Sequence, residues 1–212
     1  SLNATILGEA AVPGTAEFDL FVKECVKEMT IKAGQKCTAV RRIIVPENLL
    51  DEVQAAIAAR LATTKIGDPS AEGVRMGSLA TKLQVERVRA NVDLLAQSQQ
   101  IVYGHLDDFE VLGASKDAGA FFPPVLFRNE HPFTSTAVHD IEAFGPVSTL
   151  MPYDNLEEAM ALAKRGKGSL VGSLITRSTA VAAQVVPRLA ANHGRLHVLD
   201  RESAGESTGH GS

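Results

Sequence analysis

Two cysteines are the side chains in this sequence best suited to covalent chemistry, because a thiolate is a strong nucleophile. Cys37 follows Gly34 in a run that reads Gly-Gln-Lys-Cys, and its polar neighbours predict a loop that solvent or substrate reaches. Lys36, Arg41 and Arg42 are near enough in the sequence to favour the thiolate electrostatically. Cys37 is therefore the candidate nucleophile.

Cys25 has a different setting, since it shares a helical stripe with Phe21, Val22 and Met29. This spacing predicts a cysteine that fills the core and does not react. The six histidines form no cluster with cysteines or carboxylates at ligand spacing, so a metal site is not expected. Glycine separates His193 from His197, which predicts a surface position for the first and a cavity-lining position for the second.

The elements around Cys37 are predicted from hydrophobic periodicity. Residues 15–33 repeat apolar side chains at helical spacing and lead directly into Gly34. The β-branched residues 40–45 predict a strand that stops at Pro46, and a helix is expected over residues 47–65. The candidate nucleophile thus lies between a helix and a strand.

The rest of the chain alternates between the two periodicities. A helix is predicted over residues 79–96 and a short strand over 101–103, while the Pro-Pro pair within residues 121–127 favours an edge strand or a loop. Further strands are expected at residues 146–151, 170–176 and 195–199, with helices at 155–164 and 179–192. This order predicts an α/β fold, a mostly parallel sheet covered by helices on both faces.

The overall composition narrows the classes of function. The chain has 212 residues and a net charge of -4, with both signs interspersed, so the basic surface that binds nucleic acid is absent. No apolar run reaches the roughly 18 residues needed to span a bilayer, and no signal peptide pattern opens the chain, so we expect a cytoplasmic protein without membrane or nucleic-acid partners.

Two motifs carry a resemblance to a known family. The Gly-Gln-Lys-Cys run at residues 34–37 is followed by Arg-Arg-Ile-Ile-Val-Pro at 41–46, and Glu-Ala-Phe-Gly-Pro-Val occurs about a hundred residues later at 142–147. Together they resemble the two signatures of the aldehyde dehydrogenase superfamily, and smaller agreements extend over nearly the whole chain. Within that superfamily, residues 18–23 and 28–37 resemble the semialdehyde dehydrogenase part of bifunctional ring-opening proteins of bacterial phenylacetate degradation.

The resemblance implies an aldehyde dehydrogenase catalytic domain and roles for particular residues. The Cys37 thiolate would attack a small-molecule aldehyde, and the Cys37 amide would bind the resulting oxyanion. The narrower resemblance implies that the aldehyde is a CoA-linked semialdehyde of that pathway. Glu142 would hold the ribose hydroxyls of NAD or NADP, and Phe144 would pack beside the nicotinamide. A homodimer or larger homo-oligomer is implied, with the last strand extending a neighbouring sheet.

Parts of the family pattern are missing. The general-base glutamate and the cofactor-binding domain belong upstream of residue 1, and a hydratase-like domain belongs downstream, so residues 1–212 are interpreted as an inactive fragment. None of Glu9, Glu17, Glu24 and Glu28 fits the base motif, and residues 202–209 depart from the family's usual ending. Two alternatives stay open, namely a thiol acyltransferase, which would pair a histidine with Cys37, and a non-catalytic assembly module.

Overall fold

The computed structural model describes residues 1–207 and 209–211, which build a seven-stranded sheet with the order β5-β6-β7-β2-β1-β8-β9. All neighbouring strands in it are parallel except β5 and β6. The strands are β1 (Asn3–Leu7), β2 (Val40–Pro46), β5 (Gln100–Tyr103), β6 (Val125–Arg128), β7 (Val147–Tyr153), β8 (Ser169–Ile175) and β9 (His193–Leu199), and a separate two-stranded ribbon joins β3 (Lys65–Ile66) to β4 (Val74–Met76).

Helices cover both faces of the sheet, as the alternating pattern predicted. They are α1 (Ala16–Thr30), α2 (Leu50–Ala62), α3 (Lys82–Ala96), the single turn α4 (Ala137–Asp140), α5 (Leu156–Lys164) and α6 (Thr179–Leu189). Several begin at a residue whose side-chain oxygen accepts a hydrogen bond from the first turn, as Asn155 does from the Glu158 amide. No helix in the described part of the chain combines the length and the apolar character that a membrane crossing requires.

Successive residues of β2 point to opposite faces of the sheet, so this strand packs against the apolar clusters on both faces. Ile43 packs with α1 and α2 on one face, whereas its neighbour Ile44 packs with α5 and α6 on the other. Both side chains are completely buried. A third apolar cluster holds α3 against β6, with Phe122 and Phe127 at its centre. The central strands are therefore fixed from both sides, and the loops that enter them have rigid ends.

Two strands differ from the sequence-based expectation. The loop expected within residues 121–127 is present at 121–124, but the edge position was wrong for the rest, because β6 begins at Val125 and lies between β5 and β7. The structure adds β1, a fully buried five-residue strand that pairs with β2 and β8. The α/β class and the mostly parallel sheet are confirmed.

Candidate active site

The Cys37 loop connects α1 to β2 through a strained turn. After Thr30 the chain forms a short 3-10 turn over Ile31–Gly34, in which Lys32 and Ala33 adopt φ angles of 53° and 49°. The left-handed region costs a non-glycine residue about 1–2 kcal/mol, so surrounding contacts must impose this path. Beyond the turn, Cys37 is exposed, in agreement with the predicted loop.

The Glu142 loop approaches from the neighbouring strand. Residues 141–146 enter β7, which pairs in parallel with β2, so the two loops precede adjacent strands at the same edge of the sheet. The Ser148 hydroxyl donates to the Val40 carbonyl at 2.8 Å and fixes the first residues of the two strands side by side. Parallel pairing therefore brings together two motifs that are distant in the sequence.

Arg41 ties the two loops to each other. Its guanidinium donates to the Gly145 carbonyl at 2.6 Å and to the Gly34 carbonyl at 2.7 Å, and it is almost completely buried. Burial lowers the pKa of Arg41, an effect that the nearby Glu142 carboxylate opposes. A planar fork with several donors suits this double contact, which an ammonium group could not make in the same way.

Two further contacts lie at the junction, the place where the Cys37 loop meets the Glu142 loop. The Gln35 amide donates to the Phe144 carbonyl at 3.0 Å and accepts from the Ala80 amide at 2.8 Å. Gly34 has a φ of 68°, and a Cβ at this position would lie 2.2 Å from the Gly145 carbonyl oxygen. Glycine is therefore required here both by its backbone conformation and by the close approach of the second loop.

Glu142 and Phe144 both lie at this junction. The Glu142 Oε1 atom is 3.5 Å from the Arg41 Nε, Oε2 is 2.5 Å from the backbone nitrogen of Ser1, and the side chain is 26% exposed. Phe144 is 37% exposed and lies beneath the Arg41 guanidinium, 5.5 Å from its ring centre. Neither is a core residue, so both can meet a bound molecule at the surface between the loops.

The cation cluster predicted to activate Cys37 is organised differently. The Lys36 ammonium pairs with the buried Glu28 carboxylate at 2.8 Å, so its charge is already compensated. The expectation for Arg42 was wrong, because consecutive strand residues point to opposite faces. Its guanidinium donates to the Leu162 and Ala163 carbonyls at the end of α5, at 2.7 and 2.9 Å.

The two cysteines differ as the sequence indicated. Cys25 is 1% exposed within the apolar cluster of α1 and α2, and burial raises the pKa of its thiol well above the usual value. A raised pKa keeps the sulfur in the unreactive thiol form. Cys37 is the exposed member of the pair.

The histidines correct one expectation and add a buried residue that the sequence did not single out. The predicted surface position of His193 was wrong, because its ring is buried against the Leu189 carbonyl at the end of α6. His210, which the glycine- and serine-rich tail did not single out, is buried under the Cys37 loop, with Nδ1 3.1 Å from the Thr38 carbonyl and Nε2 2.8 Å from the Ser173 hydroxyl. Both His210 nitrogens thus have partners other than the Cys37 sulfur, which is not the pairing that a thiol acyltransferase would need.

The backbone around Cys37 offers a free donor. The preceding Lys36 carbonyl accepts from Arg41 at 3.3 Å and from the Ala39 amide at 3.2 Å, while within residues 1–207 and 209–211 the Cys37 amide donates to no acceptor. An exposed sulfur beside an unpaired amide is an arrangement that can bind a carbonyl carbon and its oxygen together.

Comparisons with known proteins give one consistent family. A sequence profile described as "Aldehyde dehydrogenase family" matches residues 8–210. The whole chain is 43% identical to 3,4-dehydroadipyl-CoA semialdehyde dehydrogenase from Aromatoleum evansii, of which it covers 41%. It is 31% identical over 185 residues, or 85% of its length, to a putative aldehyde dehydrogenase from Staphylococcus haemolyticus, of which it covers 37%.

Solved structures agree with the sequence comparisons. An aldehyde dehydrogenase C variant from Pseudomonas syringae, solved with NAD⁺ and octanal, is 26% identical with a TM-score of 0.76, over 92% of this chain and 38% of that one. A betaine aldehyde dehydrogenase variant from Staphylococcus aureus has a TM-score of 0.80 at 24% identity, over 93% of this chain and 38% of that one, which shows the shared fold. The chain thus spans about two fifths of the length of these relatives.

Proposed function

The chain belongs to the aldehyde dehydrogenase family, and on that basis we propose that it forms the nucleophile-bearing part of an enzyme that oxidises an aldehyde with NAD(P)⁺. The proposal rests on the convergence of the exposed Cys37 with the Glu142 loop at one edge of the sheet. A metal-independent thiol route fits the residues that meet there, which are a cysteine, a carboxylate and an aromatic ring.

In the proposed reaction, the Cys37 thiolate adds to the aldehyde carbon and forms a thiohemiacetal. The oxygen gains negative charge in this step, and the unpaired Cys37 amide is available to stabilise it. NAD(P)⁺, when bound, supplies the acceptor for the hydride that leaves the same carbon. The Cys37 thioester that remains is released as the acid by water, with proton transfer to a general base that we assign to a glutamate outside these 212 residues.

Glu142 and Phe144 fit a nucleotide cofactor. The Glu142 side chain is 26% exposed between the loops, and a carboxylate can accept hydrogen bonds from the two adjacent hydroxyls of a ribose. The half-exposed Phe144 ring offers an apolar surface beside it. We propose that these two residues hold the nicotinamide riboside half of the cofactor, while the rest of the dinucleotide contacts a domain upstream.

The proposed substrate is a semialdehyde linked to CoA. The relative from Aromatoleum evansii is named for such a substrate and matches the chain over its full length. A groove beside the turn at Ile31 supports this choice, since it is lined by four basic side chains, of which Lys27 pairs with Glu24, and its volume is about 540 Å³. The cations are Lys23, Lys27, Arg60 and Arg75. The phosphates of CoA are anionic, so a basic groove near the nucleophile loop suits that carrier.

The larger assembly is also a proposal. A cofactor-binding domain upstream, a hydratase-like domain downstream and a cytoplasmic location would complete the enzyme suggested by the resemblance. Within the sheet, β9 is an edge strand, and a neighbouring subunit can extend the sheet by pairing with it. On this proposal the 212-residue chain alone neither binds the cofactor tightly nor turns over aldehyde.

Iodoacetamide labelling of the native chain, followed by peptide mass spectrometry, tests the assignment of the nucleophile. Cys37 is expected to label much faster than Cys25, because only the first sulfur is exposed. In the longer polypeptide, Cys37→Ser is expected to abolish aldehyde-dependent NAD(P)H formation, whereas Cys25→Ser is the matched control that keeps it. Equal labelling of both cysteines, or full activity of Cys37→Ser, would favour the non-catalytic assembly module.

A further inference from the structure

The backbone carbonyls that follow the Cys37 sulfur are all held from inside the protein. The Asn3 amide nitrogen donates to the Cys37 carbonyl and to the Ala39 carbonyl, each at 2.9 Å. The carbonyl between them belongs to Thr38 and lies 3.1 Å from His210 Nδ1. Three consecutive carbonyls thus have side-chain partners that come from opposite ends of the chain.

Both partners are rigidly placed. Asn3 is completely buried at the start of β1, and its Oδ1 atom accepts from the Val171 amide of β8 at 3.0 Å. This contact fixes the orientation of the side-chain amide, so its nitrogen must face the nucleophile loop. His210 is 3% exposed and reaches Ser173, whose hydroxyl lies 2.8 Å from the Thr5 hydroxyl.

The partners of His210 define its tautomer. A carbonyl can only accept, so Nδ1 must carry the proton that it shares with Thr38. A neutral ring then leaves Nε2 as an acceptor for the Ser173 hydroxyl. Burial lowers the pKa of His210 to about 3, which agrees with a neutral ring at physiological pH.

These contacts determine where the loop directs its amide groups. In a trans peptide, the carbonyl and the amide hydrogen point in opposite directions. Because Arg41 holds the Lys36 carbonyl inside, the Cys37 amide hydrogen faces outward, and because Asn3 holds the Cys37 carbonyl, the Thr38 amide hydrogen does so as well. Neither amide donates to an acceptor within residues 1–207 and 209–211.

We propose that Asn3 and His210 are positioning residues, which hold the Cys37 backbone so that its sulfur and amide hydrogen face the aldehyde together. This inference rests on the proposed function, because it presumes that Cys37 is the nucleophile. Neither residue touches substrate or cofactor in this arrangement. Their removal is therefore expected to lower kcat and to leave both KM values unchanged.

Asn3→Asp tests the first contact in the longer polypeptide assayed with NAD(P)⁺ and a semialdehyde. It keeps the shape of the side chain but replaces the donor with an oxygen that repels both carbonyls. A displacement of about 1 Å costs on the order of 100-fold in rate, so we expect kcat to fall about 10- to 100-fold. Asn155→Asp is the matched control, because Asn155 is an exposed helix cap at which aspartate is equally suitable.

Two His210 variants test the second contact, and their comparison distinguishes a displaced loop from a chain that fails to fold. His210→Asn places an amide nitrogen near the position of Nδ1 and is expected to keep most of kcat, whereas His210→Gln places it near Nε2 and loses the Thr38 carbonyl. Equal kcat values in these two variants, or an Asn3→Asp enzyme as fast as Asn155→Asp, would overturn the positioning roles. Full activity of Cys37→Ser would instead overturn the proposed function itself.

Discussion

Arg41 provides the sharpest test of how the two loops are held together. In Arg41→Met the apolar stem is kept, but the hydrogen bonds to the Gly145 and Gly34 carbonyls, at 2.6 and 2.7 Å, are lost. A hydrogen bond to a charged group contributes about 1.5–3 kcal/mol, so the two bonds together represent roughly 3–6 kcal/mol. Removal of a buried guanidinium offsets part of this loss, since its desolvation is costly. We therefore expect the free energy of unfolding to fall by about 3 kcal/mol.

Urea denaturation followed by far-ultraviolet circular dichroism measures this change, because the chain has no tryptophan for fluorescence. Arg188→Met is the control, since Arg188 forms an exposed ion pair with Glu157 that contributes at most about 1 kcal/mol. Arg41→Lys should lie between the two, because one ammonium cannot reproduce the fork. If Arg41→Met loses no more stability than Arg188→Met, Arg41 does not hold the loops.

Three further perturbations have expected outcomes. Gly34→Ala should destabilise the chain in urea by more than Gly14→Ala, because both glycines have positive φ angles but only a Cβ at position 34 would meet the Gly145 carbonyl. Glu142→Gln in the longer polypeptide should raise the KM for NAD(P)⁺ about 10-fold, as expected for one weakened charge-assisted hydrogen bond; an unchanged KM would contradict the ribose contact. Burial lowers the pKa of His139 from 6.5 to about 4, so between these pH values the unfolded chain binds more protons than the folded chain. Stability is therefore lost as the pH falls from 6.5 towards 4. At pH 5 this loss is at most about 2 kcal/mol, and urea titrations should find it smaller in His139→Gln.

The sequence predicted the elements that carry periodic signals and missed those fixed by distant contacts. The β-branched run over residues 40–45 predicted β2 correctly, and such a continuous run suits a strand whose two faces are both buried by helices. β1 was missed since it has only five residues, and its five buried side chains include Asn3, whose partners lie elsewhere in the chain. Pro123 and Pro124 suggested an edge strand, but both lie before Val125, the first paired residue of β6.

The candidate site also combines features with a local sequence signal and features that depend on contacts between distant residues. The spacing of Cys37 and the Glu142 motif was visible in the sequence, and the roles proposed for them come from the family resemblance. The contribution of each neighbouring cation was not visible, because Arg41 and Arg42 have the same chemistry and only strand geometry sends them to opposite faces. His210 lies 172 positions from its partner Thr38, in a segment whose composition resembles a linker, so no local pattern could have identified it.

The position of the site has a physical consequence for its chemistry. Ligands of open parallel sheets usually bind beyond the carboxyl ends of the strands, where helix N-termini supply positive potential. Here the two loops enter β2 and β7, so they meet at the amino ends, and strands themselves carry little net dipole. In the proposed reaction, stabilisation of the developing oxyanion would then come from individual amide hydrogens that the loop directs outward. This requirement accounts for the hydrogen bonds that three buried side chains, Asn3, Arg41 and His210, make to the carbonyl groups of four consecutive residues, 36–39.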